Sequence, residues 1–148
     1  MTIDEYLNQL PKLRRAEAKA YNRMETKFDR ATSLQSSFNF DMPRRIADQN
    51  ATEARLVDLA DAQREWKEAN DAYIEFKDQL ERSLYNLLYW EGLLIDQAYI
   101  YNVVCGRDHL YGLDEILHTS SRGAILAKLD TAKQHLRQIL RDQGIEIE

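Results

Sequence analysis

Between about residue 50 and residue 104, apolar residues return every seven positions. Leu59, Trp66, Tyr73, Leu80, Leu87 and Leu94 hold one position of the repeat, and Ala62, Ala69, Phe76, Ser83, Trp90 and Gln97 follow three residues later. Charged residues fill the intervals. A spacing of seven sustained over several turns marks a helix that buries a narrow seam against another helix. Leu59, Trp66, Tyr73 and Leu80 form the clearest part of this interaction seam. Beyond Leu80 the apolar face widens. The stretch "LYNLLYWEGLLI", Leu84 to Ile95, can bury most of its circumference, as a helix inside a small domain does.

Residues 2–31 carry a second helical pattern, with Tyr6, Leu10, Leu13, Ala20, Met24, Phe28 and Ala31 at steps of three, four and seven residues. Thr2 suits an N-cap, and Asp4 and Glu5 suit the positive end of the helix dipole. Pro11 interrupts the first turns and offers a later start. "TSLQSSFNFDMP", Thr32 to Pro43, reads as a loop, after which Asp41, Asn50 or Thr52 can open the next helix. Thirty helical residues span about 45 Å, enough to cover about 30 residues of the following helix. The expected fold is all-α: an antiparallel helical hairpin arm over 1–83, with its loop near 32–43, and a compact helical domain over 84–148. The same seam can instead join two copies of the chain as a homodimer, and spacing does not choose between these.

After a turn region at "CGRDHLYG", Cys105 to Gly112, the pattern predicts a short helix at "LDEIL", a turn at "HTSS", and a last helix capped by Ser120 or Ser121. Ile125, Leu129, Ala132, Leu136 and Leu140 should form its buried face. A step of 100° per residue then turns Gly123, Ala127, Asp130 and Gln134 outward. Gly144 suits the helix end, and "IEIE" reads as a frayed tail.

Composition sharpens the picture. The 148 residues include only 5 Gly and 2 Pro, which favours long helices. The net charge of −5 opposes indiscriminate nucleic-acid binding. Between Thr119 and Arg141, however, five basic residues oppose only Asp130, so the last helix is locally +4. Cys105 is the single cysteine, which excludes an internal disulfide and suits a reducing cytoplasm. No apolar run approaches the roughly 18 residues of a membrane span, and "MTIDEYLNQL" is too polar for a signal peptide. The expectation is a soluble intracellular protein. Cys105 and His109 stand four apart, but Gly106 between them disrupts the helical geometry a metal pair needs. There is no Gly-rich phosphate loop, no HExxH and no nucleophile with a plausible base. The expectation is a non-enzymatic protein without metal or cofactor.

Two stretches carry a family resemblance. "SRGAILAKLDTAKQHLR", Ser121 to Arg137, resembles the second helix of the sigma region 4 type of helix-turn-helix, with Ser121, Gly123, Ile125, Leu129, Ala132 and Leu136 at the matching spacing. "LDEIL" and "YIYNVV" resemble the helices before it. "ATSLQSSFNFDMPRR", Ala31 to Arg45, is similar to the loop between two long helices in small phage-encoded late transcription regulators of the ArpU/RinA-like type. The resemblance implies a phage or prophage regulator in the bacterial host cytoplasm. It would contact promoter double-stranded DNA through Ser121, Arg122, Lys128, Lys133 and Arg137, with host RNA polymerase as a further partner. Asp130 and the small outward residues make that contact weak and phosphate-dominated. The alternative is a phage protein that keeps the scaffold and binds a host protein, RNA polymerase or a nucleic-acid-processing defence enzyme, without reading DNA.

Overall fold

A computed structural model describes the backbone of residues 1–36 and 46–148 and the side chains of residues 1–32 and 51–148. All regular structure in the described residues is helical, as the pattern predicts. The elements are α1 (Ile3–Leu7), α2 (Gln9–Ser36), α3 (Ile46–Leu84), α4 (Tyr89–Ile95), a π-helical segment (Asp96–Tyr101), α5 (Asn102–Val104), α6 (Leu113–Leu117) and α7 (Arg122–Asp142). None of the described helices is long and apolar enough to cross a membrane. The contacts divide the chain into two compact units. One joins Met1–Arg14 to Tyr73–Glu148, and the other is Arg15–Ala72.

The helix starts follow local chemistry. Thr2 caps α1 in a capping box: its side chain accepts from Glu5 N–H, and the Glu5 carboxylate accepts from Thr2 N–H. The helix expected to run unbroken from residue 2 is interrupted at Asn8. Pro11 then falls in the first turn of α2, where a missing N–H forfeits no intrahelical bond. At its other end α2 runs on through Ser36, so Thr32–Ser36 is helix rather than loop. The Thr32 hydroxyl donates back to the Phe28 carbonyl at 2.8 Å, which satisfies it inside the helix. Asp41 and Pro43, and with them most of the expected loop, lie outside the described residues. The next helix is already formed at Ile46, ahead of Asn50 and Thr52.

In the unit Arg15–Ala72, α2 and α3 pair in opposite order. Trp66 Nε1 donates to the buried Glu17 carboxylate at 3.0 Å, Arg23 pairs with Glu65 at 2.9 Å, and Lys27 pairs with Asp58 at 3.5 Å. Ala31 and Ala62 are buried, and Leu59, Trp66 and Ala69 are half-buried. This interior is thin. Exposed ion pairs contribute under about 1 kcal/mol each, so the Trp66 indole, 6.0 Å from the Tyr21 ring, supplies much of its apolar mass.

The unit containing the C-terminus holds the main core. Leu7, Leu10, Leu80, Leu94, Ile95, Leu113, Leu136 and Leu140 are fully buried there. The heptad predicts one helix to about Val104, but α3 ends at Leu84 and α4 begins at Tyr89. No Gly or Pro marks the break. The last turn tightens through bonds from Tyr85, Asn86 and Leu87 N–H to the carbonyls three residues earlier, and Leu88 is extended. The reason is tertiary. A straight helix would hold Leu80 and Leu94 about 21 Å apart, whereas the break brings both into one core. Gly92 permits the close return, since a Cβ there would lie 3.3 Å from the Leu84 carbonyl oxygen.

At the far end, Gly144 (φ +86°) closes α7 in a Schellman motif, with Gly144 N–H to Arg141 O and Ile145 N–H to Leu140 O. The tail expected to fray is pinned instead. Ile147 is buried, and Glu148 N–H donates to the Met1 carbonyl at 2.8 Å.

Two outcomes follow from this packing. Trp66→Ala should lower the stability of the Arg15–Ala72 unit by about 3 kcal/mol, the low end for a large aromatic because the indole is only half-buried. Chemical denaturation followed by circular dichroism measures it. Leu88 occupies the N-cap of α4 and makes no side-chain cap bond. Leu88→Ser should therefore raise stability by about 1 kcal/mol in the same assay.

Candidate nucleic-acid interface

The segment that the sequence singles out is α6, a four-residue turn and α7. Its entry is held by a buried polar side chain. Asn102 is fully buried; its Nδ2 donates to the His109 and Tyr111 carbonyls at 3.1 and 3.0 Å, and its Oδ1 accepts from Gln97 Nε2 at 2.9 Å. These bonds fold Cys105–Gly112 against the end of the π-helical segment. Gly112 then turns the chain into α6 with φ +81°, and a Cβ there would press on Gln97 Nε2 at 3.0 Å. Glycine meets both conditions without strain.

His118 ends α6 in the left-handed region, φ 53° and ψ 39°. Ser121, rather than Ser120, caps α7: its Oγ accepts from Ala124 N–H at 3.4 Å. From this start α7 buries Ile125, Leu129, Ala132, Leu136 and Leu140, the five residues the periodicity assigns inward. Gly123, Ala127, Asp130 and Gln134 are exposed, as the 100° step predicts. Ala124, Leu126 and Thr131 extend that outer face, and Lys128 is exposed on its flank. The Thr131 hydroxyl is turned back onto the Ala127 carbonyl.

The cations of α7 separate into two groups. Arg122 and Lys128 are exposed in its N-terminal half, and Lys128 Nζ sits 5.3 Å from the Trp90 ring centroid. The others fasten the chain ends. Lys133 is 17% exposed and pairs with Asp4 at 2.8 Å. Burial works against its charge, but hydrogen bonds to Asp4 and Tyr99 outweigh that and raise its pKa above the ordinary lysine value. Arg137 donates to the Glu148 carbonyl at 3.4 Å, and Arg141 Nε donates to the Ile147 carbonyl at 2.6 Å. Among the described residues, only the Lys133 charge of the local +4 is met by a side-chain carboxylate, and Arg141 remains exposed.

One cation beside this module escapes the sequence pattern. The Arg107 guanidinium lies 4.5 Å from the Tyr111 ring centroid and 5.8 Å from that of Tyr101, and it lines the same cleft as Arg122. Asp108, Asp114 and Glu115 line that cleft too. Ten residues separate the two tyrosines in the chain, so only the loop's tertiary path makes the stack. Cys105 is exposed, whereas His109 turns inward, with Nδ1 3.0 Å from the Ala98 carbonyl oxygen. Since a carbonyl only accepts, the proton sits on Nδ1. His135 Nδ1 bonds the buried Glu91 carboxylate. Among the described residues no group of three or more His, Cys, Asp or Glu is arranged to hold a metal ion.

No family model, curated protein or solved structure matches the chain.

The division of the cations can be measured as stability. A double-mutant cycle on Asp4→Ala and Lys133→Ala should give a coupling of about 1 kcal/mol, and Lys128→Ala should stay within about 0.5 kcal/mol of wild type. Because folding raises the Lys133 pKa, its contribution is fully present below the ordinary lysine value of 10.5 and is lost only as pH rises through the higher folded value. The coupling should thus be the same at pH 7 and pH 9.

Proposed function

We propose that the chain is a DNA-contacting regulator: a helical hairpin followed by a helix-turn-helix that lies along duplex DNA through the outer face of α7. The observation that supports this most directly is the face itself. From the Ser121 cap onward, Gly123, Ala124 and Ala127 are exposed on the outer side of a 21-residue helix that follows a short helix and a tight turn, and the exposed Arg122 and Lys128 flank them. The resemblance to phage-encoded late transcription regulators gives this module the same role, in promoter binding by a phage or prophage protein. The contact is phosphate-dominated. Arg122 and Lys128 can grip the backbone, while glycine, alanine and Asp130 offer base edges little to bond.

A second reading has its own support. Lys133 is paired with Asp4, Arg137 bonds the Glu148 carbonyl, and Asp130 faces outward. Both facts suit a protein that has kept the scaffold and binds a host protein without reading DNA.

Titration of the protein against labelled duplex DNA at several salt concentrations separates the two. With two cations engaged, log affinity should fall with log salt at a slope of about −2. Lys128→Ala should reduce the slope by about one unit, and Lys133→Ala should leave it unchanged. Asp130→Asn should tighten binding by removing a repulsion. Absence of binding by the wild type at low salt would reject the DNA reading and leave the protein-partner reading.

A further inference from the structure

We propose that the corner between α3 and α4 is a docking groove for a basic amphipathic helix of a partner protein. The groove lies wholly in the unit that contains the C-terminus, and it does not depend on whether α7 touches DNA. It is a cavity of about 570 Å³, within the usual range for binding clefts. Tyr85, Leu88, Tyr89 and Leu93 line it, and they are 87%, 60%, 83% and 37% exposed. Gly92 forms part of its wall, where a side chain would press toward the end of α3.

Tyr85, Leu88 and Tyr89, the most exposed of the four, lie outside the core. Leu84, Leu94 and Ile95 already anchor the corner in the core. Leu88 is the telling residue, because an N-cap is where serine, threonine, aspartate or asparagine stabilises a helix. A leucine there bonds no backbone N–H and leaves apolar surface in water. Sites that break a local rule without a folding benefit are where function is to be sought. A contiguous apolar patch rimmed by polar residues marks an interaction surface, and exposed tyrosines supply large contact area at low entropic cost.

The rim selects the occupant. Glu81 and Asp96 are its carboxylates. Burial raises the Asp96 pKa above the ordinary carboxylate value, and Lys77 offsets part of that. The same Lys77 is also 3.9 Å from Glu81. One lysine thus serves two carboxylates, and an incoming lysine or arginine completes the pairing. A helix with apolar residues at i, i+3, i+4 and i+7 and cations alongside matches both wall and rim. A second copy fits poorly, since two-fold pairing sets Glu81 and Asp96 against the same groups of the other copy. Anionic lipid and nucleic acid meet the same repulsion.

The test uses the full chain and a fluorescent 16-residue model helix with leucine at those positions and lysine elsewhere. A matched peptide with glutamate for lysine is the control. Wild type should bind the lysine peptide saturably and the glutamate peptide at least tenfold more weakly. Leu88→Ser/Tyr89→Ser should weaken binding at least tenfold while melting no lower than wild type and keeping wild-type behaviour toward duplex DNA. Glu81→Gln/Asp96→Asn should weaken it several-fold and flatten its salt dependence. Equal binding by wild type and Leu88→Ser/Tyr89→Ser would overturn the proposal, as would no binding by wild type. A concentration-dependent dimer in sedimentation that the same apolar pair of substitutions abolishes would assign the groove to a second copy instead. Binding to phosphatidylserine vesicles lost in that variant would assign it to lipid.

Discussion

Ile125, Leu129, Ala132, Leu136 and Leu140 turn one face of α7 toward the core, and the C-terminal unit is arranged around that contact with α4, α6 and α1. Full burial of an aliphatic side chain is worth about 1.5–3 kcal/mol, several times an exposed ion pair. The apolar face therefore sets the rotation of the helix, and the charged residues take what that rotation leaves them. Lys133 falls beside Asp4, Arg137 beside the C-terminal carbonyl, and His135 beside Glu91. These positions become internal fastenings because they lie on the flanks of the buried stripe. Arg122 and Lys128 stay in solvent.

The chain ends share in this arrangement. Met1 and Glu148 meet through a backbone hydrogen bond, Arg141 holds the Ile147 carbonyl, and α1 enters the same core through Ile3, Tyr6 and Leu7. A segment that looks like a loose tail thus closes the unit. The buried polar groups follow the same economy of satisfaction: Asn102 serves three neighbours from a site without solvent, and Glu91 is met by His135. Leaving either group unpartnered would carry a cost of a few kcal/mol, so these contacts fix the loop before α6 and reinforce the seat that apolar packing gives α7.

Two exposed surfaces of this unit differ in chemistry. The outer face of α7 mixes small residues with Leu126, Asp130 and Gln134, with two cations flanking its N-terminal half. The α3–α4 corner is aromatic, concave and acid-rimmed. On the readings proposed above, a polyanion would lie on the first and a basic apolar helix in the second, so the two surfaces need not compete for one ligand.

The sequence determined the helical class, the buried face of α7 and the residues that face outward from it, and local chemistry marked the caps at Thr2 and Gly144 and narrowed that of α7 to Ser120 or Ser121. All of these depend on spacing within a few residues, where backbone geometry leaves little freedom. The break at Leu84–Tyr89 was not legible, because no Gly or Pro marks it and the heptad continues through it: Leu87 and Leu94 turn inward on both readings. Only the demand that Leu80 and Leu94 share one core decides it. The contacts of Arg107 with Tyr101 and Tyr111, the pinning of the tail, and the engagement of Lys133, Arg137 and Arg141 with the chain ends were likewise decided by tertiary structure. Each joins residues far apart in the chain or depends on what packs against a flank, and a one-dimensional pattern of apolar and polar positions carries neither.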